Sequence, residues 1–454
     1  MMGRLERGQG RLFYEFSLDD VVPVDHLVRR IDALIDLGWV RDELGPYYSH
    51  TGRPSIAPEL LIRMLIIGYV FAIRSERQLC AEVQVNLAYR WFCGLGIEDR
   101  VPDHSAFSRA RHERFRDGQA YRQLFEHVVE LCLTRGLVGG AGFSVDASLI
   151  RADVNLAKQV DGTQAIDWPE RASRAVREYL EVLDETAPVA SEPHRRTKPP
   201  KAVSLTDPLA AWVTKKYARP FFGYDANYLI DHACGIIVDA EGTRANRRHE
   251  IAAAETMLDR VSRRFHLKPR VLAGDSVYGA GRLLAWLIDR GIEPHVPVWD
   301  RSARKNGLFS RSDFVFDTGA NHYICPGGKT LTSTGTVSQG RILVYRGRKE
   351  DCTHCRLRSR CTNGPARKVT RDIDEELRDQ VRTLAGTKAF EHSARQRKKV
   401  EMAFAHLKRI LKLDRLRLRG LSGARHEVLL AATAQNLRKL ARYAAQPPPS
   451  PQMT

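Results

Sequence analysis

The spacing of apolar and polar positions changes twice along the chain. Residues 1–137 follow helical spacing, and the stretch 58–73 is apolar nearly all round, which predicts a core helix. After the glycine-rich stretch 136–142 the spacing becomes alternating, as in Phe143-Ser-Val-Asp146-Ala-Ser, and predicts a strand. A carboxylate inside such a strand costs free energy unless it is paired or binds a metal, so Asp146 is the first sign of a site.

The next region predicts strands alternating with helices. Two adjacent strands at 221–231 and 235–239 are followed by a helix at 249–265, a short strand ending in Asp275, a helix at 278–289 and a strand at 292–298. With the strand at Phe143, this order predicts an α/β domain with a mixed sheet and crossover helices. Asp275 is also placed to be the N-cap of the helix that begins near Tyr278.

These patterns divide the chain into predicted domains. A helical N-terminal domain at 1–137 precedes the first part of the α/β domain at 138–298, which contains a Pro-, Ser- and Lys-rich stretch at 186–207 that we expect to be a flexible linker. Short strands among Gly, Thr, Arg and Lys predict a small β-rich insertion at 299–387. Residues 388–445 complete the α/β domain with a basic helix and a terminal helix, and 446–454 form a disordered tail.

Charge indicates the kind of partner. The 454 residues carry a formal net charge of +18, with a sequence pI of about 9.7, which favours binding to a polyanion, most simply nucleic acid. The longest apolar run, 60–72, is interrupted by Arg63 and is too short to span a bilayer. The N-terminus lacks the apolar core of a signal peptide. We therefore expect a cytoplasmic protein that does not bind membranes.

The basic helix contains the most informative spacing. Arg397, Glu401 and Lys408 lie four and seven residues apart and so share one face. An acid between two cations suits a metal ligand whose neighbours hold phosphates. A solvated helix face with ordinary ion pairs has the same pattern. Near the N-terminus, short helices are followed at 102–115 by a loop that leads into a basic helix, which is compatible with a helix-turn-helix DNA-binding unit or with a helical bundle that has a basic surface.

At these residues the chain resembles the DDE transposases of bacterial insertion sequences, over most of its length. The family signature on the basic helix is an Arg, a Glu and a Lys at the spacing of Arg397, Glu401 and Lys408. The segment Leu272-Ala-Gly-Asp275-Ser-Val-Tyr-Gly resembles that around the family's second Asp, and Phe143-Ser-Val-Asp146-Ala-Ser that around its first. Segments at 52–58, 75–77 and 102–105 resemble the family's helical N-terminal domain.

The resemblance implies a fold and an activity. The α/β domain would be ribonuclease-H-like, a mixed sheet with helices, and Asp146, Asp275 and Glu401 would be the catalytic acids that hold two Mg²⁺ ions, with Mn²⁺ as a substitute. Arg397 and Lys408 would contact phosphates. The helical N-terminal domain would bind double-stranded DNA, and the candidate DNA-binding side chains there are Arg53, Arg77, Arg109 and Arg111.

The implied reaction is Mg²⁺-dependent cleavage at the ends of an insertion sequence and strand transfer into target DNA. The implied assembly is a homodimer on DNA, in the bacterial cytoplasm at the nucleoid. Two alternatives stay open on the sequence: a ribonuclease-H-like nuclease without strand transfer, and a non-catalytic DNA-binding regulator that retains the scaffold. Three converging acids argue against the regulator, because a binding module does not need them.

The cysteines provide a second candidate metal site. Cys352-Thr-His-Cys355 has the two-residue gap of a zinc site, and Cys361 and Cys325 complete a possible Cys₄ set. The wider gaps are less typical of zinc, so reduced free thiols are the alternative, as expected in a cytoplasmic protein. The remaining cysteines are isolated in the sequence and are expected to be packing residues: Cys80, Cys93, Cys132 and Cys234.

Overall fold

The structure is a computed structural model that describes residues 16–48, 51, 55–113, 115, 119–185, 199–214, 219–298, 307–338 and 341–444. The chain divides into two compact units. One contains the described residues up to Leu137, together with Ile150–Asp153 and the described residues from Ala403 onward. The other contains Val138–Leu149 and the described part of Val154–Met402. Arg53, the segment 186–198 and the predicted tail lie outside the described residues.

The first unit is helical. Helix α4 is buried along most of its length, as its all-round apolar sequence predicts, and the C-terminal helix α16 packs on α2, α4 and α8. The helices before the first strand are α1 (Leu18–Val21), α2 (Leu27–Asp32), α3 (Gly38–Leu44), α4 (Pro58–Val70), α5 (Glu76–Val85), α6 (Leu87–Phe92), α7 (Ser105–Glu113) and α8 (Gln119–Thr134). Helix α16 spans Gly420–Ala444. Ser75 caps α5 and Asn86 caps α6 through their side-chain oxygens.

The second unit is built on a mixed sheet. The strands of this sheet, and those of a separate two-stranded sheet formed by β2 and β3, are β1 (Gly142–Arg151), β2 (Gln159–Val160), β3 (Val203–Ser204), β4 (Ala211–Val213), β5 (Phe221–Asp231), β6 (Ile237–Arg244), β7 (Val271–Ala273) and β8 (Glu293–His295). Helices α9 (Arg174–Glu185), α10 (Arg247–Phe265) and α11 (Gly281–Asp289) lie between them in sequence. Strand β5 pairs with β1, β4 and β6, and β7 lies between β1 and β8.

The strand directions confirm the predicted ribonuclease-H-like sheet. Strands β5 and β6 are antiparallel, whereas β1, β7 and β8 run parallel to one another. Strand β7 is the fourth strand of the domain when the short strands β2, β3 and β4 are left out. It is the neighbour of β1, as the resemblance implies. The core beneath this sheet contains Phe143, Val145, Leu272 and residues from α10 and α11 such as Met257 and Leu283.

The predicted β-rich insertion is an antiparallel sheet of five strands within the described residues: β9 (Val315–Asp317), β10 (His322–Ile324), β11 (Thr330–Ser338), β12 (Ile342–Gly347) and β13 (Lys368–Asp372). Its small core is largely aromatic, with Phe314, Tyr323 and Tyr345. The helices that follow or interrupt it are α12 (Lys349–Thr353), α13 (Arg358–Cys361), α14 (Glu375–Leu384) and α15 (Lys388–Arg409).

Two local predictions are wrong. The described end of the expected linker is ordered, because Val203 and Ser204 pair with β2 and Asp207 is fully buried against the hydroxyl of Tyr224. The helix predicted to start near Tyr278 begins at Gly281 instead, and Ala280 at its N-cap supplies no side-chain bond. Among the described helices, none combines the length and the hydrophobicity needed to cross a bilayer.

Candidate active site

Asp146 lies in the middle of β1, just after the buried residues Phe143 and Val145. Its Oδ1 accepts a hydrogen bond of 2.8 Å from the N–H of Ala147. Burial is the largest cause that raises the pKa of Asp146 to about 6, and the negative charges of Asp275 and Glu401 raise it further. The Ala147 N–H and the Arg397 guanidinium only partly offset these effects. Asp146 is thus a carboxylate whose charge the surroundings do not fully compensate.

Asp275 follows β7, the parallel neighbour of β1. The register pairs Ser144 with Ala273, so the two strands carry their acids toward the same edge of the sheet. The Asp275 Oδ1 accepts a 2.8 Å hydrogen bond from the N–H of Val277, which closes a tight turn. Asp275 therefore caps this turn rather than helix α11, contrary to the N-cap prediction.

Two glycines shape the turn around Asp275. A Cβ at Gly274 would lie 2.9 Å from the ring of Tyr278, and one at Gly279 would lie 2.9 Å from the carbonyl oxygen of Pro297. Both approaches are too close for a side chain, so this turn requires glycine at each position. The Gly-Asp-Ser-Val-Tyr-Gly sequence is thereby explained by backbone packing as well as by its acid.

Helix α15 carries Arg397 and Glu401. The Arg397 Nη2 lies 3.0 Å from Glu401 Oε1, one helical turn away, and its Nη1 lies 3.8 Å from Asp146 Oδ2. One guanidinium therefore touches an acid of the sheet and an acid of the helix. Lys408 lies two turns further along α15 and is half-buried. Arg397 and Glu401 have the spacing seen in the sequence, and the ion pair of Arg397 with Asp146 links them to the sheet.

Glu250 is a further acid near this cluster that the sequence reasoning missed. It lies in the first turn of α10, whose N-cap is Asn246. Burial chiefly raises the pKa of Glu250 to about 7, and the charges of Asp225, Asp275 and Asp146 add to the shift. A signal was available, because Asn246-Arg-Arg-His-Glu250 has the cap and first-turn acid of a helix start immediately after a strand.

Other strand-region acids have structural partners. Asp231 is buried and accepts hydrogen bonds from the N–H groups of Gly139, Gly140 and Ala233. Asp239 is buried and paired with Arg260 at 2.7 Å. These acids hold loops and helices in place. Separately, within the helical unit, Asp153 forms ion pairs with Arg415 and Arg419 at 3.0 and 3.1 Å.

The chemistry of the cluster suits a hard divalent cation. Carboxylate oxygens are the preferred ligands of Mg²⁺, and a cation would offset both the burial and the acidic neighbours that raise the pKa of Asp146. As the side chains stand, no group of three or more His, Cys, Asp or Glu residues in the described part of the chain is arranged to hold a metal ion. Arg397 provides the positive charge between two of the acids instead.

Comparisons with known families find a match for two segments of the chain. A transposase domain (DUF772) matches residues 16–113, and a transposase DDE domain matches residues 324–441. Both matched segments are those of transposase families, and together they cover just under half of the chain. The second match includes Arg397, Glu401 and Lys408, whereas Asp146 and Asp275 lie outside both matched segments.

Solved structures give only distant similarity to this chain. A piggyBac transposase synaptic complex with hairpin DNA is 11% identical, with a TM-score of 0.30 over 94% of this chain and 82% of that chain. A Mos1 transposase paired-end complex is 10% identical, with a TM-score of 0.17 over 54% of this chain, and the match spans 60% of the Mos1 chain. Comparison with curated proteins gives no match.

The four clustered cysteines surround one small cavity of about 30 Å³ in the insertion. The Sγ atoms of Cys325 and Cys355 each lie 3.6 Å from the point where a Cβ on Gly327 would sit, and Lys329 donates its N–H to Cys325 Sγ at 3.3 Å. Cys352 and Cys361 line the same cavity. Burial chiefly raises the pKa of the Cys361 thiol; Arg367 opposes the shift and the other three cysteines add to it.

The candidate DNA-binding arginines of the helical unit differ in exposure. Arg77 on α5 and Arg109 on α7 are exposed, and Arg77 lies 3.4 Å from the ring of His104. Arg111 is buried and forms an ion pair with Glu76, so it is a structural residue and its prediction as a DNA contact is wrong. A buried guanidinium bound to a carboxylate has no free face for a phosphate. Arg53 lies outside the described residues.

Proposed function

We propose that this DNA transposase hydrolyses the phosphodiester bond at each end of its element and then transfers the freed 3′-hydroxyl to a phosphodiester of target DNA. Hydrolysis breaks the bond between phosphorus and the 3′-oxygen, and a water-derived oxygen takes its place. In the second step the 3′-hydroxyl attacks the target phosphorus and releases a target 3′-oxygen. Asp146, Asp275 and Glu401 are the acids proposed to act in both steps.

The single observation that carries this proposal is the contact of Arg397 with both Asp146 and Glu401. It links the acid of β1 to the acid of α15, and the negative charge of Asp275 acts on the same Asp146 carboxylate. Three acids from separate parts of the sequence thus influence one another within one unit. A DNA-binding regulator has no chemical need for such repulsive neighbours.

Divalent cations are the proposed cofactors, Mg²⁺ or Mn²⁺, and when bound they supply charge that favours attack on a phosphodiester and departure of the leaving oxygen. The residues of the chain have complementary tasks. Asp146, Asp275 and Glu401 offer oxygen ligands, and Arg397 is free to turn from its acids toward a phosphate once a cation neutralises them. Lys408 is proposed as a second phosphate contact on the same helix.

The helical unit is proposed to bind double-stranded DNA through exposed cations such as Arg77 and Arg109. The net charge of +18 supports association with a polyanion. We further propose that the transposase acts as a homodimer that bridges the two element ends. Mass measurement of the protein alone and on end DNA tests this, because a monomer in both states would contradict it.

The decisive experiment replaces Asp275 by Asn and assays the protein on DNA that carries the ends flanking its gene. We expect cleavage and strand transfer to fall to background in Mg²⁺, while end binding persists, because the fold and the basic surfaces are unchanged. Joined products are quantified separately from nicks, since nicks without joining would indicate a nuclease rather than a transposase.

Asp259→Asn is the matched control. Asp259 lies on α10, is exposed, and pairs only loosely with Arg290 at 3.5 Å. This variant should cleave and join DNA as the wild type does. Equal cleavage by Asp275→Asn and the wild type would refute the assignment of the acids.

The cysteine cavity is proposed to hold a structural Zn²⁺ through Cys325, Cys352, Cys355 and Cys361, drawn together from their present positions around the cavity. Elemental analysis of protein purified without chelator should find zinc, which Cys355→Ser should lose and Cys80→Ser should retain. Wild-type protein without bound zinc and with reactive thiols in this cluster would disprove the site.

A further inference from the structure

The sheet-containing unit has a large cavity beside the acid cluster. Its volume is about 840 Å³, within the usual range of ligand sites, and it is lined by the loop after Asp275, the start of α11, strands β12 and β13 and helix α14. Among the described residues, eight arginine and lysine side chains line it against two carboxylates, Asp372 and Glu375. The lining therefore has a formal excess of six positive charges, which neighbouring acids outside the lining reduce only in part.

Some of these cations are held rigidly. Glu375 is 1% exposed, and its carboxylate accepts hydrogen bonds or ion pairs from Arg311, Arg378 and Arg382 at 2.8 to 2.9 Å. Burial alone would raise the pKa of Glu375, but the arginine hydrogen bonds and charges outweigh it and lower the pKa to about 2. One carboxylate thus fixes three guanidiniums, of which Arg382 also pairs with Asp379, and this preorganises a wall of the cavity that keeps an excess of positive charge.

Other cations of the lining remain accessible. Arg282 on α11 is 70% exposed and pairs weakly with Glu255 at 3.3 Å. Lys368 on β13 is exposed, and Arg247 at the start of α10 is exposed and donates to the carbonyl of Val277 at 3.3 Å. Exposed ion pairs of this kind are worth little, so these side chains can exchange their partners for a ligand.

Helix α11 adds a further preference for anions. Its N-terminal residues Ala280, Gly281 and Arg282 line the cavity, and no side chain caps its first turn. The backbone N–H groups and the positive end of the helix dipole therefore contribute to the same concave surface as the arginines. This is a second feature, independent of the side chains, that favours a negatively charged occupant.

The position of the cavity favours one kind of occupant. Ser276 and Val277, directly after Asp275, line it, so its mouth adjoins the acids proposed to cleave DNA. Successive phosphates of a DNA strand follow at about 3.4 Å per nucleotide along the helix axis, so a chain that reacts at Asp275 would bring its next phosphates to this wall. A free anion would not need a basic surface of this extent.

We propose that this cavity binds the phosphodiester backbone of double-stranded DNA next to the bond that reacts at Asp275. The inference rests on the proposed function for the location of that bond, and it adds the surface that positions the strand. Arg282, Lys368 and Arg247 contact the phosphates, while Glu375 holds the deeper arginines in place behind them. These contacts set register and orientation without reading the sequence.

The test combines Arg282→Gln with Lys368→Gln and measures binding of a fluorescent duplex by anisotropy, in EDTA, from about 50 to about 200 mM salt. Each lost phosphate contact lowers the slope of log affinity against log salt by about 1, so we expect the slope to fall by about 2. The control combines Arg263→Gln with Lys268→Gln, which removes the same charge from exposed positions of the same unit outside the cavity lining. Circular dichroism and thermal melting establish that both variants are folded.

The outcomes separate the two proposals. A cavity variant with the same slope as the control overturns the DNA-backbone inference. So does a result in which inorganic phosphate stabilises the wild type more than the cavity variant while their DNA slopes agree, because the cavity would then be a free-anion site. Binding in EDTA does not depend on cleavage. If Asp275→Asn cleaves normally while the cavity variant loses slope, the proposed function fails and with it the position of the reacting bond, whereas the binding of the DNA backbone by the cavity stands.

Discussion

The acid cluster around Asp146 and the arginine cluster around Glu375 contain the same chemical groups in opposite proportions. At the first, a single guanidinium, Arg397, contacts two acids, Asp146 and Glu401, and Asp275 adds a third charge. At the second, three guanidiniums surround one carboxylate. The pKa of Asp146 is raised to about 6, whereas the pKa of Glu375 is lowered to about 2.

Burial cannot explain this difference. It disfavours the charged form of both carboxylates, and Glu375 has the more buried side chain, with 1% exposure against 19% for Asp146. At Asp146 burial is the largest cause of the raised pKa and the acidic neighbours add to it, whereas at Glu375 the arginine neighbours outweigh burial and reverse the sign. In the acid-rich cluster the carboxylates repel one another, and a bound cation would reduce this repulsion. In the arginine-rich cluster the excess of positive charge would be neutralised by a bound anion. The two regions lie in one unit and suit opposite parts of a nucleic-acid reaction, the metal and the phosphate.

Asp146→Asn should have the largest effect on the acid cluster. We expect DNA cleavage to fall to background, because one of the three proposed metal ligands is lost, as measured by nicking and joining of end DNA in Mg²⁺. We also expect the metal-free protein to become more stable, by at most about 3 kcal/mol at neutral pH, because a raised carboxylate pKa is an unfavourable contribution of the folded state. Loss of function with gain of stability is typical of a strained site.

The pH dependence supplies the check for Asp146. The folded state takes up the Asp146 proton more readily than the unfolded state, so stability falls as pH rises from about 3.8 to about 6, and the full penalty applies above about 6. Denaturant titrations of wild type and Asp146→Asn should therefore diverge over this window and stay apart above it. Parallel curves throughout, or a variant less stable than the wild type, would contradict this picture of stored repulsion.

The second prediction concerns the arginine cluster. Glu375→Gln should destabilise the protein by about 3–5 kcal/mol at neutral pH, because it leaves Arg311, Arg378 and Arg382 without their buried counter-charge. Chemical denaturation measures this, with the exposed neighbour Glu376→Gln as the control that should stay within about 0.5 kcal/mol of the wild type. A mild effect at Glu375 would mean that the arginines do not depend on it.

The pH profile of the same pair has the opposite sign to that of Asp146. Because the pKa of Glu375 is lowered from 4.5 to about 2, its contribution is complete above about 4.5 and is lost as pH falls through about 2. Wild type and Glu375→Gln should therefore converge in acid and differ most at neutral pH. Convergence in the neutral range would show that the two clusters do not differ in the way proposed.

The sequence predicts the acids of the site better than their surroundings. Asp146 and Asp275 fall in or after short apolar runs, which the family resemblance assigns to neighbouring strands, and Glu401 shares a helical face with Arg397. Each of these patterns is local in the sequence, and the fold brings the acids that they contain into one unit. The ordered pairing of Val203 with β2 was missed because the compositional bias of the surrounding segment outweighed a short apolar stretch in the prediction.

Long-range partnerships could not be predicted. Strand β11 lacks apolar alternation, since along it only Leu331 is buried, and it exists because it pairs with β10 and β12. The arginine cluster around Glu375 contains Arg311, which precedes the insertion sheet, whereas Glu375 itself lies on α14, which follows the sheet. Helix α16 groups with the N-terminal helices through packing that no local spacing indicates. Such contacts are fixed by the tertiary fold and leave no period in the sequence.

Glu250 tests whether acids beyond the three proposed ligands contribute to metal binding. If the acid cluster owes its character to accumulated negative charge, Glu250→Gln should weaken divalent-metal binding without abolishing it, because Glu250 acts on Asp146 and Asp275 through its charge. Substitutions in the surroundings of metal ligands reduce affinity about 10-fold or more, and we expect the lower end here. Mn²⁺ titration followed by electron paramagnetic resonance measures the free ion directly, with Asp259→Asn on the same helix as the control. Unchanged Mn²⁺ affinity in Glu250→Gln would confine the metal site to the three acids that the sequence already indicates, whereas a loss confined to this variant would extend it to the first turn of α10.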